Sequence, residues 1–123
     1  MHGFGDLEAA VMLQLWAADG PVTVRQVHTA LSEERDLAYT TVLTVMDKLH
    51  RKGWLRRAPQ GRAHVYAAVA TREQYGAGLM RAALTDSGDR EQTLLHFLGQ
   101  MTLDEAAALR AALTTYERKI AGS

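Results

Sequence analysis

The sequence predicts a mainly α-helical fold with one small β-hairpin near the middle of the chain. Three segments with apolar residues at every third or fourth position precede residue 53, and helical periodicity returns after residue 70. Between them, apolar and polar residues alternate around the turn-forming sequence Pro59-Gln60-Gly61-Arg62. A length of 123 residues corresponds to one domain, or to one small domain with an appendage.

The first two helices are predicted on either side of the break Asp19-Gly20-Pro21. Over residues 7–18, apolar residues recur with the spacing of one buried helix face, and these are Leu7, Val11, Leu15 and Ala18. The β-branched residues 22–24 predict a short strand. Thr23 can then cap a second helix over residues 24–32.

The third helix is predicted over residues 39–52, with Gly53 in the position after a helix end that glycine favours. The hairpin follows, with strands over residues 54–58 and 63–69. Three helices followed by a two-stranded hairpin is the arrangement of the winged helix-turn-helix, in which the hairpin is called the wing. We therefore predict a winged-helix domain over residues 1–70.

Three further helices are predicted over residues 71–85, 90–100 and 103–121, and residues 71–123 form a separate helical region. About 50 residues in three helices is small for an independent core. The last helix carries an apolar heptad pattern, which predicts pairing with a second copy of the chain. The expected dimer contacts are Leu79, Leu95, Leu98, Leu109, Leu113, Tyr116 and Ile120. The alternative is that these helices fold back on the winged helix of the same chain.

The charge is balanced overall but not along the chain. Lys and Arg total 14, as do Asp and Glu. No carboxylate interrupts the segment from Lys48 to His64, whose cations are Lys48, Arg51, Lys52, Arg56, Arg57 and Arg62. Such a basic segment on a neutral protein indicates a surface directed at a polyanion. The alternative is a hairpin with its Lys and Arg side chains simply solvated.

The third helix has two distinct faces. Its buried stripe is predicted to be Val42, Val45, Met46 and Leu49. The opposite face begins with threonines, whose hydroxyl and methyl groups suit base edges in the major groove of double-stranded DNA. Asp47 on that face either accepts from a cytosine amine or pairs with Arg51 one turn later. The predicted DNA contacts are Thr40, Thr41, Leu43, Thr44, Lys48, Arg51, Lys52, Arg56, Arg57, Arg62 and His64. The alternative is a solvated helix start.

Several classes of protein are disfavoured by the sequence. The absence of cysteine excludes disulfide scaffolds, thiolate zinc sites and cysteine nucleophiles. The five histidines lack metal-ligand spacing, and no glycine-rich phosphate loop or serine nucleophile motif is present. We therefore expect no enzyme activity, cofactor or metal. No apolar run is long enough for membrane insertion, and the N-terminus lacks signal-peptide features, which predicts a cytoplasmic protein.

Four segments carry motifs at a characteristic spacing. They are LEAAVMLQLW in the first helix, TVRQVHTAL in the second, YTTVLTVMDKLHRKGWL in the third and RAHVYAAV in the wing. In these segments and over nearly its whole length, the chain resembles the penicillinase-repressor family of winged-helix transcriptional repressors, the BlaI/MecI/CopY group. The resemblance implies a homodimer that binds a palindromic operator.

The resemblance also implies a mode of release from DNA. In the β-lactam branch of the family, a regulatory protease pathway leads to cleavage in the dimerisation region, at a motif similar to L-x-L-N-F. Residues 94–97 match this motif except that His96 replaces asparagine, so His96-Phe97 is the possible cleavage point. The copper branch uses a C-terminal cysteine motif, which this chain lacks.

We therefore predict a homodimeric repressor of a palindromic operator, serving a β-lactam-response or related stress operon and released by proteolysis. Two alternatives from other classes remain open at this point. One is a winged-helix module that binds an acidic protein, and the other is a metal-responsive repressor.

Overall fold

The computed structural model describes residues 3–122. Its elements are α1 (Asp6–Ala17), β1 (Val22–Thr23), α2 (Val24–Ser32), α3 (Tyr39–Arg51), β2 (Leu55–Gln60), β3 (Ala63–Ala68), α4 (Arg72–Asp86), α5 (Arg90–Leu98) and α6 (Leu103–Ala121). This order confirms the predicted fold class, a mainly α chain with a small hairpin wing. His2, one of the five histidines considered above, lies outside the described residues. None of the helices described is long and apolar enough to cross a membrane.

Side-chain caps determine where several helices begin. The Thr23 hydroxyl accepts from the backbone N–H of Gln26, and the Gln26 side chain accepts from the N–H of Thr23. The same reciprocal arrangement joins Thr71 to Gln74 at the start of α4. This reciprocal pair of bonds is called a capping box, and it satisfies backbone N–H donors that the start of a helix leaves without partners. The α5 helix ends two residues earlier than expected, at Leu98, and Gly99 is its C-cap, with its N–H bonded to the carbonyls of Leu95 and Phe97.

The sheet contains three antiparallel strands in the order β1-β3-β2. Val22 of β1 pairs with Tyr66 of β3, and Arg57 of β2 pairs with the same residue from the other side. Gly61 has a φ of 63° in the turn, a conformation that side chains with a Cβ rarely adopt. Because successive side chains of a strand point to opposite faces, Arg56 and Arg57 lie on opposite faces of the wing.

The hydrophobic core lies where α1, α2, α3 and the sheet meet. Its buried residues are Val11, Met12, Leu15, Val24, Val27, Leu31, Val42, Met46, Leu49, Leu55 and Tyr66. Leu7 and Val45, which were expected on the buried stripes, are only half-buried. Burial of Met12 was not predicted. The α1 helix packs against α2, α3 and β3, so the buried part of its surface is wider than one stripe and includes Met12.

An aromatic cluster joins the first half of α4 to the winged helix. Tyr75 stacks on Phe4 with ring centroids 4.4 Å apart, and its hydroxyl accepts from the Phe4 backbone N–H at 2.9 Å. Trp16 and Trp54 contact Tyr75 at centroid distances of 5.6 and 5.2 Å. The indole N–H of Trp16 donates to the carbonyl of Ala70 at 2.9 Å. These contacts hold the start of α4 against α1 and the base of the wing.

The described residues form two compact units, 3–79 and 80–122. The first contains the core and the aromatic cluster. The second contains the end of α4 together with α5 and α6, and none of its described residues is buried. The functional division at residue 70 stays a prediction.

Candidate nucleic-acid interface

The α3 helix turns one face to the core and the other to solvent, as predicted. Val42, Met46 and Leu49 are fully buried. The residues on the other side of its first two turns are exposed, and they are Thr40, Thr41, Leu43 and Thr44. The core therefore holds α3 rigidly while its N-terminal half presents methyl and hydroxyl groups to solvent.

The hydroxyl of Thr44 is already engaged within the helix. It donates to the backbone carbonyl of Thr40 at 2.9 Å. A hydroxyl has one hydrogen, so Thr44 retains only its oxygen lone pairs and its methyl group for an outside partner. The neighbouring Leu43 is exposed and adds apolar surface. This part of α3 is therefore suited to apolar contact and to accepting hydrogen bonds.

Asp47 pairs with one arginine of the helix and one of the wing. The Arg51 Nε donates to Asp47 Oδ2 at 2.9 Å, and Arg51 Nη2 contacts the same oxygen. Arg57 Nη1 lies 3.3 Å from Asp47 Oδ1. The hydrogen bond from Arg51, with the charges of both arginines, holds the pKa of the Asp47 carboxyl below its ordinary value. Of the two alternatives for Asp47, the structure therefore shows the pairing with Arg51.

A second ion pair joins the end of α3 to α1. Lys52 Nζ lies 3.4 Å from Glu8 Oε2. Burial alone would raise the pKa of Glu8, but the backbone N–H of Gly5 and the Lys52 ammonium outweigh it, so the pKa lies below its ordinary value. The remaining predicted cations, Lys48, Arg56 and Arg62, form no ion pair with any residue from 3 to 122.

A cleft of about 390 Å³ lies between the start of α2, the start of α3 and the wing. Its lining residues are Thr23, Val24, Arg25, Tyr39, Leu43, Arg62, Ala63, His64 and Tyr66. The predicted contacts Leu43, Arg62 and His64 are therefore brought together, although they are far apart in the sequence. Arg56 is not among them, and it lies on the opposite face of the wing, beside Trp16 and Val69.

Two residues of this cleft, Arg25 and Tyr39, were not among the contacts predicted from the sequence. The guanidinium carbon of Arg25 lies 5.8 Å from the centre of the Tyr39 ring, within the range of a cation–π contact. The Tyr39 ring also packs against the His28 ring, with centroids 5.8 Å apart and ring planes at 79°. Arg25 lies outside the basic segment, so a charge window could not include it. Arg25 lies at the start of α2, beside the start of α3, and this proximity arises from tertiary packing, so no signal in the sequence identifies the residue.

Chemically, the surface combines apolar methyl groups, hydrogen-bond acceptors and several guanidinium and ammonium groups. Guanidinium groups suit phosphate oxygens because they present several donors in one plane. No group of three or more His, Asp or Glu side chains among residues 3–122 is placed to hold a metal ion. The cations of this surface are therefore suited to bind a polyanion, and its methyl groups and hydrogen-bond acceptors are suited to contact groups beside the negative charges.

The family model described as penicillinase repressor matches residues 4–115. The chain belongs to the penicillinase repressor family. This membership confirms the resemblance inferred from the four sequence motifs. Over 116 residues the chain is 52% identical to the transcriptional regulator BlaI of Mycobacterium tuberculosis, in strains CDC 1551 / Oshkosh and H37Rv. The alignment covers 92% of this chain and 84% of each relative. The relatives of this family member are regulators of transcription and not enzymes.

Solved structures agree with the fold. The DNA-binding domain of the repressor BlaI matches with a TM-score of 0.53 and 26% identity, covering 58% of this chain and 87% of that one. A mutant of MarR from E. coli matches with a TM-score of 0.50 and 20% identity, covering 92% and 77%. The second likeness concerns the fold alone. By homology, this penicillinase repressor family member is a DNA-binding transcriptional regulator.

Proposed function

We propose that the chain is a homodimeric repressor that binds a palindromic operator through α3 and the wing. The observation that carries this proposal is the exposed start of α3, flanked by the cations of its last turn and of the wing. Base edges in the major groove specify sequence, whereas phosphates position the protein. A rigid helix with methyl groups at one end and cations at the other is suited to both tasks.

The base contacts are assigned to the first half of α3 and the phosphate contacts to the rest of the surface. Residues assigned to base edges are Thr40, Thr41, Leu43 and Thr44. Residues assigned to phosphates or the adjacent groove are Lys48, Arg51, Lys52, Arg57, Arg62 and His64. The predicted contact Arg56 is not assigned to this surface, because it lies on the opposite face of the wing. Arg25 joins the second group, because it borders the same cleft as Arg62 and His64.

Dimerisation is assigned to the predicted helical region, residues 71–123, which includes Leu79 and the second compact unit. On α6, the exposed fractions of Leu113, Tyr116 and Ile120 are 52%, 61% and 56%. Large apolar side chains so exposed on one helix face favour association with another surface. The partner proposed here is a second copy of the chain, which would place two α3 helices on the two halves of a palindrome. The other seam residues are Leu95, Leu98 and Leu109.

Release is assigned to cleavage in the dimerisation region by a regulatory protease, in a β-lactam-response or related stress operon. The family membership supports this assignment. His96 and Phe97 are exposed on α5, and cutting between them would separate α6 from the winged helix. The product would keep the DNA-contacting surface and lose the heptad of α6.

The test is selection of duplexes from a randomised pool by the purified full chain, followed by measurement of affinity at several salt concentrations. We expect enrichment of one palindrome and a steep fall in affinity with salt, because bound phosphates release counterions. Sedimentation should give a dimer. Failure to enrich any duplex would instead favour the alternative of a module whose basic surface binds an acidic protein.

A further inference from the structure

Asp47 is the one acidic side chain of the α3 sequence, and it lies on the exposed side of the helix. It immediately precedes the basic segment that is proposed to meet phosphates. A carboxylate there repels a polyanion and cancels part of the neighbouring positive charge. Its negative charge therefore lowers affinity for DNA in general, unless Asp47 also positions neighbouring side chains for binding.

The contacts of Asp47 indicate what it contributes. One carboxylate oxygen holds Arg51 of α3, and the other holds Arg57 of β2. The two arginines belong to different elements, so a single side chain sets the position of one guanidinium relative to the other. No other ion pair among residues 3–122 joins α3 to the wing.

The pairing leaves Arg51 available to a ligand. A guanidinium has five N–H donors, and Arg51 uses only those of Nε and Nη2 on Asp47. The Arg51 side chain is 76% exposed, against 30% for Asp47. The carboxylate is thus the covered partner, and the outer edge of Arg51 faces solvent in a restricted orientation.

We propose that Asp47 is a positioning residue that raises operator specificity by fixing Arg51 and Arg57 as one unit. This inference rests on the proposed function. Unrelated DNA is bound by phosphate neutralisation, which the Asp47 charge opposes. On the operator, two guanidinium groups already held in one geometry lose less conformational freedom on binding, and this offsets the repulsion.

The experiment compares the wild-type chain with Asp47→Asn on two probes, the palindromic duplex that the wild type enriches and a scrambled duplex of equal composition. We expect Asp47→Asn to bind the scrambled duplex more tightly, with a log–log salt slope that is steeper by about 0.9 for each additional phosphate neutralised. The ratio of the two affinities should fall about tenfold, the size of one hydrogen bond to a charged group.

Glu8→Gln is the matched control. It also removes a carboxylate that pairs with a cation of this surface, Lys52, but it leaves the Asp47 contacts intact. Glu8→Gln should therefore leave the affinity ratio near its wild-type value. Asp47→Glu keeps the charge and can still reach both arginines, so it should restore most of the ratio.

The results for Asp47→Asn and Glu8→Gln distinguish positioning of the arginines from a change in net charge alone. An affinity ratio that is unchanged or higher in Asp47→Asn overturns the proposal, as does an equal fall in Glu8→Gln, because net charge alone would then account for it. Thermal unfolding of the variants checks that these substitutions leave the fold intact. If the wild type enriches no duplex, the proposed function fails, and this inference fails with it.

Discussion

Thr44 can form fewer hydrogen bonds to a base than a threonine with a free hydroxyl group. Its hydroxyl hydrogen is committed to the Thr40 carbonyl, so its methyl group and oxygen lone pairs remain. A helix residue in this state can pack its methyl on a thymine methyl or accept from an exocyclic amine. The geometry favours the first, because Leu43 beside it is also exposed and apolar.

We therefore expect Thr44→Ala to lose about 1–3 kcal/mol of binding free energy at one base step, with relaxed preference there. Thr44→Val, which keeps the methyl group and removes the hydroxyl, should retain most of the affinity. The measurement is binding of each variant to operator duplexes substituted one position at a time. A loss that is uniform across all duplexes would assign Thr44 to the DNA backbone.

Arg62 should behave as a charge and not as a reader of sequence. It lies in the turn of the wing, between β2 and β3, and forms no ion pair with the residues that the structure describes. Arg62→Ala should weaken binding to every duplex and lower the log–log salt slope by about 0.9. Arg62→Lys keeps the charge and should preserve the slope. A wild-type slope in Arg62→Ala would remove the wing turn from the proposed surface.

The link between α3 and the wing depends on one backbone conformation. Gly53 has a φ of 89°, and its N–H donates to the carbonyl of His50 at 3.0 Å. This left-handed residue ends the helix and lets Leu55 begin β2 within four residues of Arg51. The wing therefore stands beside the C-terminal half of α3, where Asp47 reaches Arg57.

Gly53→Ala should destabilise the winged helix by about 1–2 kcal/mol, because a Cβ disfavours the left-handed region. A Cβ at this position meets no atom within 4 Å, so steric contact does not contribute. The measurement is the free energy of unfolding in denaturant. Gly20→Ala is the matched control, because Gly20 has an equally open surrounding and no positive φ, and its stability should change little.

The two compact units of the chain differ in how they bury apolar surface. Residues 3–79 surround a core of eleven buried side chains, whereas no residue from 80 to 122 is buried. The second unit therefore has the greater need of a partner. Its apolar residues on α6 recur on one face, which is the pattern that self-association requires.

Leu113→Asp tests that face. An unpaired carboxylate is costly to bury, so the variant should sediment as a monomer. The winged helix should remain folded because its core lies elsewhere, and operator affinity should collapse with the loss of the second half-site. Thr115→Asp places the same charge on the opposite side of α6 and should stay dimeric. An intact dimer in Leu113→Asp would contradict the proposed seam.

Truncation after His96 tests release by proteolysis. The shortened chain lacks α6 and keeps the winged helix. A binder with two linked sites becomes a binder with one, and the lost advantage can reach about 10²–10⁴ in affinity. Operator binding and sedimentation are measured against the full chain. If the truncated chain still forms a dimer and binds as tightly, cleavage at this bond is not the switch.

The helices and strands could be predicted from the amino-acid sequence, because helical and strand periodicity are local properties. The bounds of α2 were predicted in full, and those of α3 to within one residue, since Thr23 and Gly53 mark boundaries through their own chemistry. The buried stripe Val42, Met46 and Leu49 followed from the same periodicity. The family motifs were recognisable for the same reason.

Which elements meet depends on tertiary packing and could not be predicted in this way. Met12 is buried because α1 packs on several elements at once, and Arg25 joins the interface because α2 begins beside α3. The pairing of Asp47 with Arg57 spans a helix end and a turn into the wing, and no local pattern encodes such a contact. Side-chain partners depend on the relative placement of whole elements, which core packing determines and sequence periodicity does not.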